Sequence, residues 1–464
     1  MKKGIIQIFV SNIIFLLFGM INNFILPKFL SVDAYANFKT YILYMSYAAF
    51  FSFGYIEGAF LKYGGKSLQQ AKESKFGSVR KGFIFSQLIV CTIILLLGVY
   101  KKDSILVLFS ISIFTTNMLN FYKNFCTAIA EYKIYSIITS FEKIFIFIAN
   151  TVLIFILKSD DYIYYVLVLI VTSIIEIIYV NEVFKKRAPE INSGRINVVL
   201  AKECMKLGII LLLGNSVSAL FTGIDQWFVK LFMDNASFAT YAFAVSMERI
   251  ITVFITPITT VLYNYFCRQQ DEDHSKYLRE ALLMWAFAIL IVTFPLIIVV
   301  ERFMPQYTQS IDLIAILFCG QAINCIINGI YINRYKANKQ QNKFLLQMIV
   351  MTVVAVALDA ILFAIFQTLL ALAVATLATK CIWLIWCEMD AIGYAYSVKG
   401  NIFIFVVIFL FICCVNFGGQ IDGAILYVVF LIIMSVLSMK ETLRVIRNEL
   451  EKQISRVMKK ERED

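Results

Sequence analysis

Hydrophobic and polar positions along the chain sort into apolar runs of roughly 20 residues separated by short polar loops. That is the length a helix rising 1.5 Å per residue needs to cross a hydrocarbon layer about 30 Å thick. The runs lie near residues 4–27, 40–61, 83–100, 104–128, 134–157, 162–184, 207–233, 239–266, 281–300, 311–333, 344–366, 368–387, 400–416 and 424–443. They predict an all-α polytopic membrane protein with about 14 transmembrane helices, and nothing shows the ten-residue alternation of an outer-membrane barrel. The first run follows directly on Met1, Lys2 and Lys3 and reaches Pro27 without a small-residue cleavage site, so an uncleaved anchor is expected. Composition agrees: 60% hydrophobic residues, 16% charged residues and a mean hydropathy of +0.79 exceed what a soluble core can use.

A net charge of +11 raises the question of nucleic acid, but the Lys and Arg are scattered over short loops with no basic domain to carry a binding face. Topology explains them. With a cytoplasmic N-terminus, most of the 42 Lys and Arg fall on the cytoplasmic side, which predicts both termini inside. All ten cysteines lie in or beside apolar spans and lack metal-site or disulfide-framework spacing. The one histidine, His274, sits in a cytoplasmic loop. No G-x-S-x-G, P-loop or H-E-x-x-H occurs, so neither an enzyme nor a transporter with its own ATPase is expected, and no cofactor.

Charge inside the apolar runs is the informative exception. The stretch 214–257 carries Asp225, Glu248 and Arg249, with Asp225 about 12 Å and Arg249 about 15 Å below the outer surface at 1.5 Å per residue. Lys143 and Lys380 lie comparably deep, as do Glu142 and Asp359, while Glu57 and Glu176 fall nearer the cytoplasmic third, where water reaches. Ionisable groups at such depth face a bundle interior or a water-filled path, or they pair with one another to orient helices. Both readings stand for each residue. Asn117 and Asn120 share one face of the fourth span, and Gln321, Asn324 and Asn328 share one face of the tenth, either lining a path or bonding between helices.

The segment Phe29–Phe38 aligns without gaps on Phe232–Tyr241, and each closes one span and opens the next. Duplication of a six-span unit follows, giving an N-terminal six-helix lobe at 1–184, a cytoplasmic linker at 185–206, a C-terminal six-helix lobe at 207–388, helices 13 and 14 at 400–443 and a charged tail at 444–464. Parallel repeats of this kind hold their substrate between the halves.

Leu26-Pro27-Lys28-Phe29-Leu30 with Tyr35 and Phe38, then Gly54-Tyr55-Ile56-Glu57-Gly58-Ala59, resemble the first hairpin of the Wzx-type O-antigen and polysaccharide-lipid flippases, in the MATE-like MOP exporter superfamily. Gly223-Ile224-Asp225-Gln226-Trp227, Phe232-Met233 and Tyr241-Ala242 resemble their seventh and eighth spans. The resemblance implies two lobes in a V, alternating access in the bacterial inner membrane, and a polyprenyl-pyrophosphate-linked oligosaccharide such as an O-antigen or lipopolysaccharide repeat unit as cargo. It further implies Lys143, Arg249 and Lys380 as cations for the diphosphate, and Asn117, Asn120, Gln321, Asn324 and Asn328 as sugar contacts. Glu142, Asp225, Glu248 and Asp359 are then cavity charges or H+ or Na+ coupling sites. Helices 13 and 14 would line a groove for the polyprenyl tail, and a polymerase and glycosyltransferases would work alongside. The first span lacks the cations of lipid II flippases, which favours a surface-polysaccharide cargo. A MATE-type multidrug exporter is the alternative transporter, and a non-transporting membrane scaffold the alternative of another class.

Overall fold

The computed structural model describes residues 17–189, 191, 193–268, 272–390, 398–417, 420–445 and 447–448, and the long apolar runs within them are largely helical. Twelve described helices are long and apolar enough to cross a membrane. The chain divides into two compact units, Met1–Ala239 and Thr240–Asp464.

The first unit contains α1 (17–29), α2 (Val32–Met45), α3 (Tyr55–Tyr63), α4 (Leu68–Glu73), α5 (Phe76–Lys101), α6 (Ser104–Ala128), α7 (Tyr132–Phe155), α8 (Tyr162–Arg187) and α9 (Val198–Phe232). Helix α6 is its hub and packs on α2, α3, α5, α7 and α8. Apolar surface alone does not hold membrane helices together, so interlocking rings matter here. Tyr63, Phe76, Phe121, Phe125 and Phe184 stack or meet edge to face, the closest pair being Phe76 and Phe125 at 3.9 Å between centroids.

The second expected span, 40–61, is not one helix. Helix α2 stops at Met45, a 3-10 turn covers Ala48–Ser52, and Phe53 (φ 51°) and Gly54 (φ 78°) are left-handed before α3 begins. Breaking a helix inside a membrane frees carbonyls that must find donors. Asn117 Nδ2 donates to the Ala48 carbonyl at 2.9 Å, and Gln87 Nε2 donates to that of Phe51 at 3.0 Å. The break lets α3 lie against α9. A Cβ added at Gly58 would fall 1.8 Å from the Cys204 carbonyl oxygen, and one at Gly208 would fall 1.9 Å from that of Gly54. Gly54 and Gly58 are therefore one side of a small-residue contact in which two helix backbones touch.

The stretch expected to be a linker, 185–206, is largely helical: α8 runs to Arg187, and α9 starts at Val198 with Asn197 Oδ1 accepting from the Val199 and Leu200 amides. The two aligned segments of the repeat carry the same cap. Ser31 Oγ accepts from the Ala34 amide before α2, and at the matching position Asp234 Oδ1 accepts from the Ser237 amide before α10 (Asn235–Arg268). Hydrogen bonding from Ser237 holds the exposed Asp234 carboxyl below its ordinary value. Burial matches as well, with Tyr35, Ala36 and Phe38 all buried like Phe238, Ala239 and Tyr241.

The second unit holds most of α10, then α11 (Glu272–Ala288), α12 (Thr293–Phe303), α13 (Ile311–Ile326), α14 (Asn333–Ala337), α15 (Gln341–Phe366), α16 (Leu369–Asp390), α17 (Val398–Phe417) and α18 (Gln420–Ser438). Its centre is the span Pro305–Ala337, whose apolar window is 89% buried, against 11% for α18. Irregular turns interrupt this unit. A 3-10 turn at Ile289–Val292 precedes Pro295, which has no N–H for the carbonyl one turn back. A π-helical turn, Ile327–Ile332, separates α13 from α14, and such turns insert a residue into the ladder and redirect side chains.

Candidate functional site

In the second unit, one polar row runs through the membrane core. Lys380, on α16, has a side chain only 8% exposed, and its Nζ lies 3.8 Å from Glu248 Oε1 on α10. The other oxygen of Glu248 accepts from Gln321 Nε2 at 2.9 Å. Gln321 Oε1 accepts from Asn324 Nδ2 at 3.1 Å, and Asn324 Oδ1 accepts from Asn328 Nδ2 at 2.7 Å. Asn328 sits in the π turn, one helical step after Asn324. Five residues read separately from the sequence, three expected to meet sugar, one to meet phosphate and one to carry a cavity charge, thus form one row across three helices, four of them joined by hydrogen bonds and the lysine at ion-pair distance from Glu248. Its lysine sits beyond the 2.7–2.9 Å of a tight charged bond, so its ammonium retains donors for another anion.

The first unit holds a second cluster. Glu142 on α7 accepts from Lys143 Nζ at 2.7 Å and from Lys123 Nζ, on α6, at 2.5 Å. Glu176 on α8 lies within electrostatic reach of all three, is 2% exposed, and has no hydrogen-bond partner at either carboxylate oxygen among the described residues. It is buried, not in the wetted position expected of it, on a helix that packs against α6 and α7.

The remaining expected residues are more dispersed. Asp225 is buried in α9, where Oδ1 accepts from the Gln226 amide at 2.8 Å, and two residues on Trp227 stacks on Tyr44 at 5.4 Å. Arg249 is exposed on α10. Asp359 is buried on α15. Asn117 takes the interhelical reading, since its Nδ2 donates to Ala48 and, at 2.8 Å, to Gln87 Oε1. Asn120 is half-buried, and its carbonyl accepts from Asn124. Among the described residues, no three His, Cys, Asp or Glu gather as a metal site.

The family model for polysaccharide biosynthesis proteins matches residues 1–270, more than half the chain. The chain belongs to that family. Its fold is similar to that of the lipid II flippase MurJ in an inward closed conformation, with a TM-score of 0.72 at 14% identity, covering 96% of this chain and 100% of that one. An inward-facing multidrug resistance MATE family transporter of the MOP superfamily gives 0.54 at 12% identity, covering 83% and 98%. A MATE protein in complex with MaL6 gives 0.51 at 13%, covering 84% and 96%. These likenesses establish the fold. No curated protein matches the chain in sequence.

Sequence reasoning missed two parts of this picture. One is Lys123, which lies one helical turn from Asn120 on the same span, within five residues of the run's end. The second is a buried network in which Arg279, 0% exposed, pairs with Glu388, donates through Nε to Tyr331 Oη at 3.0 Å and donates through Nη2 to Asn401 Oδ1 at 2.5 Å. It joins α11, the π turn, α16 and α17.

Proposed function

We propose that this chain is a flippase that moves a polyprenyl-pyrophosphate-linked oligosaccharide, a surface-polysaccharide repeat unit, from the cytoplasmic to the outer leaflet of the bacterial inner membrane by alternating access. Both termini are cytoplasmic in this reading. Membership in a polysaccharide biosynthesis family supports this choice of cargo. The observation that carries the chemistry is the row Lys380–Glu248–Gln321–Asn324–Asn328, which sets a loosely paired ammonium beside a ladder of amides inside an apolar bundle. A diphosphate leaving water needs cations to replace its hydration, and sugar hydroxyls need groups that both donate and accept. Lys123 and Lys143, sharing Glu142, are the matching cations of the first unit, and Arg249 is the exposed one. The transport is favourable without a coupled ion, because an anion moving outward through an inside-negative potential gains roughly 2.3 kcal/mol per charge per 100 mV. Glu142, Asp225, Glu248 and Asp359 remain the groups at which H+ or Na+ would act.

In a strain lacking the gene, labelled polyprenyl-linked oligosaccharide is expected to accumulate on the cytoplasmic leaflet and surface glycan to be lost, with both restored by the wild type and not by Lys380→Gln or Arg249→Ala. Normal surface glycan with altered sensitivity to cationic dyes would assign the chain to drug export instead.

A further inference from the structure

At the end of the second unit where α17 begins and α18 finishes, Lys276, Lys399, Lys440 and Arg444 converge on a hollow of about 540 Å³. These cations come from α11, α17 and the helical segment that follows α18. By contrast, Lys62, Lys123, Lys143, Arg187, Arg279 and Lys343 each have a carboxylate in ion-pair contact. None of the four around the hollow has an ion-pair partner among the described residues. Two carboxylates also line it. Glu280 is buried and accepts from Thr442 Oγ1, while Glu441 is exposed. The hollow is therefore cationic and built from three elements, and the Glu280–Thr442 bond ties α11 to the segment after α18.

Its rim is apolar on one side. Val398 is 56% exposed and Leu437 71% exposed at the mouth, and Phe405, Ile433 and Val436 continue that exposed surface along α17 and α18. A charged recess opening onto a lipid-facing wall fits a molecule with an anionic head and acyl chains, whereas a free anion needs no such wall. The positive-inside pattern expected of the chain puts this end at the cytoplasmic leaflet, where anionic phospholipids concentrate.

We propose that this hollow is a headgroup site for an anionic phospholipid of the cytoplasmic leaflet, with the acyl chains on the outer faces of α17 and α18. The lipid bridges α11 to the last two spans, and the site is separate from the polar row at Lys380. It holds whichever cargo the chain carries.

The test uses the purified full-length chain and short-chain phosphatidylglycerol, phosphatidylcholine and inorganic pyrophosphate as probes. Phosphatidylglycerol is expected to bind at least roughly tenfold more tightly than phosphatidylcholine, and the preference is expected to shrink as salt is raised. Lys399→Gln/Arg444→Gln should lose it, and Lys399→Arg/Arg444→Lys should keep it. Glu441→Gln should strengthen binding, an outcome that damaged folding does not produce. Equal affinity for the two lipids, retention of the preference in the double Gln variant, or weaker binding in Glu441→Gln would overturn the proposal. Pyrophosphate competing as well as phosphatidylglycerol would show a free-anion or cargo-diphosphate site and overturn it too.

Discussion

Gly320 leaves the room that Lys380 occupies: a Cβ on that glycine would lie 3.1 Å from Cδ and 3.2 Å from Nζ of the lysine. Both residues are in helices of the second unit, and the missing side chain on α13 lets the ammonium reach the level of Glu248 and Gln321. Gly320→Ala is expected to shift the lysine by a few tenths of an ångström. The stability loss should fall at the low end of the ~1–3 kcal/mol typical of overpacking, because the lysine end is flexible. Export should fall several-fold. Thermal melting in detergent and a transport assay on the same variant check the pair of outcomes.

Glu142 is shared between two lysines, so its removal is not equivalent to removal of either. Glu142→Gln leaves Lys123 and Lys143 within reach of each other with their common acceptor neutralised, and it is expected to lower the folded amount more than Lys143→Gln does. Comparing membrane abundance and melting temperature of the two variants decides it. Equal losses would mean that the cluster is held by packing.

The contact between α3 and α9 leaves no space for a methyl group. With backbone atoms at 1.8 Å and 1.9 Å from the added carbons, Gly58→Ala and Gly208→Ala must each push two helices apart. Loss of most folded protein is expected, at the upper end of the ~1–3 kcal/mol overpacking range or beyond it. Gly214→Ala, on the same helix with nothing near its added carbon, is the control and should be silent or mildly stabilising.

The pair Arg279–Glu388 is buried on both sides, at 0% and 2% side-chain exposure. Glu388→Gln strands a guanidinium and is expected to cost about 3–5 kcal/mol. Arg279→Met/Glu388→Met removes both charges, and its loss should be smaller than that of the worse single variant. A thermal double-mutant cycle tests this, and a double variant as unstable as the sum of the singles would rule out coupling between the two.

How far the sequence led can be seen from these same residues. The helices were legible because an apolar run of membrane length has few alternatives, and the face shared by Gln321, Asn324 and Asn328 was legible because its period belongs to one helix. Their joining to Glu248 and Lys380 was not, since that depends on which helices become neighbours. The break between Met45 and Tyr55 was invisible to hydropathy, because Phe50, Phe51 and Phe53 keep the run apolar while the backbone leaves the helix. Only Ser46 and Gly54 hinted at it. Arg279 and Glu388 lie within a turn or two of the ends of their runs, where charges are normally wetted, and only tertiary packing buries them.

The most direct measurement is on purified protein in vesicles loaded with fluorescent polyprenyl-pyrophosphate-linked oligosaccharide, following its arrival in the opposite leaflet with an impermeant quencher. Wild type should translocate the lipid and Lys380→Gln should not, while melting at a temperature close to that of the wild type. Translocation by Lys380→Gln at the wild-type rate would contradict the assignment of the Lys380–Glu248–Gln321–Asn324–Asn328 row as the cargo-handling site.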